Sequence, residues 1–409
     1  MITLEAVERA LVPVDSEAAA RVSGPNYDEF QGDREIWELL QANPSSILRV
    51  TMAHCDVPSE RTWVKEGSPE ALERAAANTR ELVASPDTRE IEKMLWVYEI
   101  AGASSRQIGV GGMARIGEIR TETTPDGVII RNEGVREPKA RGRADLIERT
   151  KAYVGVVNNT VEDSDDVLLD ALSAHVQALE PDLTVEDEHG YEHRVWLVTE
   201  PEEITRFRGL LAAEPLAYVA DGNHRSAAAG MLGRDRFLSV FFPSRTMGIA
   251  AYNRLIQCER PFAEIRAAVE TSFAIEDLGD IPGYQPERTH DVGLYSGGSW
   301  YRLTPRSSTY DSDNAVEVID ADIVQRKLFD EVMEIAAAAD ERLRYVGANK
   351  SAVYLRDEVD AGRAGYAVSL PAVTMDQFIE VCRQNRFMPP KSTWFVPKVR
   401  SGLVIALLD

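Results

Sequence analysis

The sequence is poor in cysteine, in histidine and in positive charge, and each shortage removes a class of function. Three cysteines, Cys55, Cys258 and Cys382, stand far apart in 409 residues, and the six histidines are as scattered. Such spacing suits neither a disulfide framework nor a zinc cluster, and a reducing, cytoplasmic setting fits. Lysine and arginine number 45 against 67 aspartates and glutamates, a formal charge of −22. A surface of that sign repels polyanions, so no nucleic-acid partner is expected and any phosphate-binding patch must be local. Long apolar runs are missing too: nothing approaches the roughly 18 residues of a membrane span. The opening MITLEAVERALVP alternates charged with apolar residues, so neither a leader nor a membrane partner is expected. There is no GxxxxGK[ST] loop, no GxSxG elbow, and no GxGxxG continuation of Gly109-Val110-Gly111-Gly112, which excludes P-loop, common hydrolase and Rossmann sites. Hydrophobic residues nevertheless make up 44% of the chain, enough for a folded globular protein of two or three domains.

What is present begins with LAYVADGNHRSAAAGMLG, Leu216 to Gly233, an apolar run that stops at a polar pentad and resumes as an alanine-rich helical pattern. A strand feeding a tight loop at a helix N-terminus makes an anion site, because backbone N–H groups and the helix dipole both favour negative charge there. Gly222 permits the turn. Asp221, Asn223, His224, Arg225 and Ser226 add a carboxylate, an amide, an imidazole, a guanidinium and a hydroxyl. An Asp-Gly turn whose His and Arg merely cap carbonyls is the plainer account of an isolated pentad.

The remaining pattern is mixed: α+β, with mixed and antiparallel sheets and flanking helices. Helical periodicity marks 33–41 and 69–85, with Ser68 placed as a cap. MLWVYEIAG, RQIGVGGMARI and GVIIRN suggest an antiparallel meander over 94–132. A helix over 143–153, the strand HRVWLVTE and a helix over 201–213 lead to the loop strand. Val316 to Asp340 reads as a long helix and GLVIALLD as a last strand. Three lobes are expected: 1–155 with the meander, 156–278 with the pentad, and 279–409 with a basic loop.

That basic loop gathers Lys391, Ser392, Thr393, Lys398, Arg400 and Ser401 into eleven positions of an acidic protein. It suits a polyphosphate or carboxylate, or is a solvated turn. Asp28 and Glu133 are the other carboxylates weighed for catalysis, Glu133 being followed by Arg136, Lys139, Arg141 and Arg143. His54 and His193 are set aside as structural.

The pentad resembles the DGHHR loop of the family called domain of unknown function 1015, and MPPKSTWFVPKVRSGL, Met388 to Leu403, resembles that family's closing signature. GPNYDEF at Gly24 to Phe30, Tyr252-Asn253-Arg254, GGSWYRL and RLRYVG are similar to further segments, in the same order. Within the family, the DGHHR loop is similar to the phosphate-handling loop of free-serine kinases on the ParB/sulfiredoxin-like fold. The resemblance implies such a site loop at a strand-helix junction. It also implies a phosphotransferase acting on the hydroxyl of a small metabolite such as free serine, with ATP or ADP and magnesium. Asp221, His224, Asp28 and Glu133 would be catalytic, and Asp221 would also hold the metal. Gly222, Asn223, Arg225, Ser226 and the basic-loop residues would bind the nucleotide. A homodimer is compatible with all of this. The chain departs from the pattern at Asn223, in place of the first His, and in a second segment where His, Thr and Asp become Asn132, Val135 and Gly142. A phosphatase or a ligand-binding paralogue without catalysis therefore stays open.

Overall fold

The computed structural model describes every residue except 27, 28, 31, 104 and 337–339. Contacts group the chain into two compact units, Met1–Met247 with Pro397–Asp409, and Gly248–Val396. The lobe boundaries expected near 155 and 278 each fall inside a unit. The first unit's sheet draws strands from both sides of 155, and the strand Phe273–Gly279, paired with Ser299–Pro305, runs through 278. Both units are α+β, with mixed and antiparallel sheets flanked by helices, as the sequence pattern implied.

The first unit is built on a sheet of twelve strands among the described residues. Along its main path lie Ile129–Arg131, Ala217–Asp221, Val157–Val161, Arg236–Pro243, Arg106–Arg115, Thr88–Ala101, Val7–Pro13, Ile405–Leu407 and Ala152–Tyr153. Thr88–Ala101 and Arg106–Arg115 form the expected antiparallel pair. GVIIRN does not continue the meander: Ile129–Arg131 lies at the far edge, parallel to Ala217–Asp221. Its β-branched residues specify a strand but not a partner, and Ile129 and Ile130 are buried in this position. Helix Pro69–Val83 starts where the sequence indicates, with the Ser68 hydroxyl accepting the Ala71 N–H at 3.3 Å and Pro69 in its first turn.

The second unit holds a six-stranded antiparallel sheet and a short ribbon of Gly248–Ala250 with Trp394–Val396. Gly297 and Gly298, both at positive φ, turn the GGSWYRL hairpin. The buried Arg254 ties three motif segments together: it donates to the Tyr252 and Lys391 carbonyls and lies over the Tyr345 ring at 5.1 Å. Trp394 packs edge-on against Tyr252 at 5.1 Å, a packing role. The long helix expected over 316–340 is much shorter. Asp320–Val324 passes into the wider turns of Gln325–Asp330, and Glu334, at a φ of 58°, is incompatible with continuing it. No helix among the described residues is long and apolar enough to cross a membrane.

Candidate functional site

Ala217–Asp221 is an apolar strand buried between Ile129–Arg131 and Val157–Val161, and it ends at the first charged residue, Asp221. Gly222 then takes a φ of 105°, and helix Asn223–Met231 begins. A side chain at residue 222 would be strained at that φ, and its Cβ would lie 3.0 Å from Arg225 Nε and 3.2 Å from Val157 Cα. Gly155 also borders this side chain, where a Cβ would lie 3.1 Å from Arg225 Cδ. Two glycines therefore form the slot in which the Arg225 guanidinium lies.

Asp221 is held between two cations, Arg225 Nη2 on one carboxylate oxygen and Lys398 Nζ on the other, each at 3.3 Å. Ser226 is fully buried and donates to the Asn223 carbonyl at 3.0 Å, so its hydroxyl serves the helix start. Asn223 is buried and donates to Asn132 Oδ1 at 2.7 Å. The two positions where the resembled pattern carries His are thus one Asn–Asn contact. His224 Nε2 accepts the Arg136 N–H at 3.1 Å, closing the start of helix Glu137–Thr150. Acceptance there leaves the neutral ring's proton on Nδ1. Glu133 is half-buried in the turn between Asn132 and that helix.

The basic loop divides. Lys391, Ser392 and Thr393 belong to the second unit, where Lys391 Nζ lies 3.2 Å from the Tyr252 hydroxyl and Ser392 donates to the Pro389 carbonyl at 2.7 Å. Lys398, Arg400 and Ser401 belong to the first. Ser401 pairs with Gly24 through the backbone and donates to Asn26 Oδ1 at 3.1 Å, so the N-terminal motif meets the C-terminal one. Asp28 lies outside the described residues.

A further group of polar residues, His193 among them, meets the C-terminal segment at Arg400. The Tyr98 hydroxyl accepts the Arg400 N–H at 3.0 Å and donates to His193 Nδ1 at 2.7 Å, and His193 Nε2–H donates to Asp187 at 3.0 Å. Glu188, beside Asp187, pairs with the Arg400 guanidinium at 3.2 Å. Burial pushes Tyr98 up and His193 down. Burial also pushes the Asp187 carboxyl up, but hydrogen bonds from His193 and the Tyr191 and His189 N–H groups outweigh it and hold it at about 2. Sequence reasoning passed over Asn158, which pairs in register with Asp221 and is buried. Two asparagines inside the apolar strand VVNNTV were the available signal.

Arg225 Nε, Asn158 Oδ1 and Asn223 Oδ1 are buried without a hydrogen-bond partner among the described residues. A buried guanidinium N–H at a helix N-terminus, with Lys398 beside it, fits a phosphate group. The donor set fits a resident magnesium less well. Among the described residues, ligand atoms cluster closely enough for a metal at Asp33, His54 and Cys55 and at Glu29, Glu188 and His189, neither of which includes Asp221.

The profile of the family described as "Protein of unknown function (DUF1015)" matches residues 8–328. The chain belongs to this family. The match stops short of the closing signature at 388–403. Among solved structures, a free serine kinase in complex with AMP is similar at 12% identity and a TM-score of 0.39, over 72% of this chain and 92% of that one. A conserved hypothetical protein from Pyrococcus furiosus gives 11% and 0.37 over 71% and 92%. SbnI with a C-terminal truncation, from Staphylococcus aureus, gives 10% and 0.39 over 69% and 85%. No curated protein sequence matches the chain.

Proposed function

We propose that the first unit is a phosphotransferase that passes a phosphoryl group from ATP or ADP to the hydroxyl of a small metabolite. The observation that carries this reading is the Arg225 slot: a largely buried guanidinium whose Nε–H has no hydrogen-bond partner among the described residues, at a helix N-terminus opened by Gly222 and next to Lys398. Arg225, Lys398 and the first N–H groups of helix Asn223–Met231 would hold the donor's phosphates and stabilise charge on the moving group. A phosphate arriving there competes with Asp221 for both cations and releases the carboxylate. Asp221 then orients the acceptor hydroxyl and receives its proton as the new O–P bond forms and the bond to the nucleotide breaks. Magnesium, carried in with the nucleotide, would neutralise phosphate charge when bound.

A second reading, ligand binding without catalysis, is favoured by the closed Asn132–Asn223 contact, which lacks a group that titrates near neutral pH. The test is incubation of the full chain with ATP or ADP, magnesium and a pool of hydroxylated metabolites, including free serine, followed by mass spectrometry. One metabolite heavier by a phosphoryl group is the expected outcome. Free phosphate alone would mean that the nucleotide's phosphoryl group passes to water. Bound nucleotide with no product would leave the binding reading.

A further inference from the structure

We propose that the half-open cavity of about 400 Å³ beside His224 takes an organic anion with an apolar tail, and that this molecule is the hydroxyl-bearing acceptor, an assignment that rests on the reading above. Helix Glu137–Thr150 turns Lys139, Gly142 and Arg143 toward the cavity from one face, three and four residues apart, while Leu72 and Ala75 line it from helix Pro69–Val83. Cations thus stand at one wall and aliphatic groups at another. Arg225 and Lys398 already serve the donor's phosphates, and the neutral nucleoside has no use for two more cations. A second anion does. Glu66 approaches Arg143 at 3.8 Å from the exposed rim and offsets part of that charge.

Size narrows the class further. Pockets of roughly 300–1,000 Å³ suit ligands well above an amino acid in size, and free serine would leave most of this one to water. Gly142 is central to the assignment. A Cβ there would meet nothing within 4 Å, so glycine leaves the wall between Lys139 and Arg143 open and uncharged. The acceptor is therefore larger than a free amino acid and is bound through its carboxylate or an equivalent anionic group.

Calorimetric titration of the full chain with β-hydroxyoctanoate, its uncharged amide and free serine tests this. The acid is expected to bind about tenfold or more tightly than either of the others, a difference of about 1.4 kcal/mol. Gly142→Asp, which places a carboxylate in open space, should weaken the acid by about tenfold, and Gly142→Asn, which adds the same bulk without the charge, should weaken it less. Equal affinity for acid and amide, serine binding as tightly as the acid, or an unaltered Gly142→Asp variant would overturn the assignment. Tight, Gly142-dependent binding without phosphoryl transfer would keep the cavity's anion assignment and overturn the kinase reading alone.

Discussion

Asp221 holds Arg225 through one carboxylate oxygen and Lys398 through the other, so its charge restrains the cations that the proposed donor needs. Asp221→Asn keeps the volume and removes the restraint, and its effects should run in opposite directions. Stability should fall by about 1–3 kcal/mol, because two largely buried cations lose their counter-charge. Inorganic pyrophosphate should bind more tightly, by about tenfold, because it no longer competes with a carboxylate. Phosphoryl transfer should drop by about 10²–10⁴, since the group that orients the hydroxyl and takes its proton is gone. Urea denaturation, calorimetry and a transfer assay read the three separately. Unchanged or weaker pyrophosphate binding would mean that Arg225 and Lys398 do not form an anion cradle. A purely structural turn would show the stability loss without the gain in affinity.

The strand pair Thr88–Ala101 and Glu192–Val198 holds the C-terminal segment at the site, and its polar link responds to pH. His193 binds its proton less readily folded than unfolded, because burial pulls it down, and Asp187 is likewise depressed. In both cases the unfolded chain holds more protons, so stability rises with pH through these windows. On acidification His193's share is lost below about 6.5. Asp187's share goes between its ordinary value of 3.8 and about 2. His290, in the second unit, has the opposite sign: its hydrogen bond to Asp320 raises it, so its share is present in acid and is lost as pH rises. His193→Gln cannot titrate, and the gap in urea midpoint between wild type and variant should shrink from pH about 7 to about 5. A constant gap would show that His193 does not titrate in this range. The site loop was legible because strand, glycine and helix signals are local and consecutive. Lys398 and Asp221 were both singled out, yet their contact spans 177 positions and no local pattern encodes it. Beside Arg194, His193 reads as structural, because its relation to Tyr98 is diagonal across two strands and invisible along the chain. Lys391 and Lys398 are neighbours in sequence, and contacts assign them to different units, a division that no local pattern marks.

Contacts leave Gly248–Val396 as an insertion within the first unit, and the way its ends are joined bears on whether the site needs it. Gly248 and Val396 face each other as partners in an antiparallel ribbon, so the chain enters and leaves this unit at nearly the same point. Cα atoms paired in that way lie about 4.5–5.5 Å apart, a gap that a linker of a few Gly and Ser residues spans. Each unit has its own sheet and buried side chains, the second centred on Tyr295, Trp300 and Leu355. Closely spaced ends and a separate core are what allow domains to be inserted or removed. Residues 248–396 expressed alone should therefore unfold cooperatively on heating. The first unit, with those residues replaced by a short Gly-Ser linker, should do the same and should bind pyrophosphate within about threefold of the full chain, because Asp221, Arg225 and Lys398 all lie in it. Circular dichroism melts and calorimetry check the two parts. A cooperative first unit that has lost pyrophosphate binding would show that the cradle depends on the inserted unit. The phosphotransferase reading would then have to place part of the site there, with Lys391 the first residue to test.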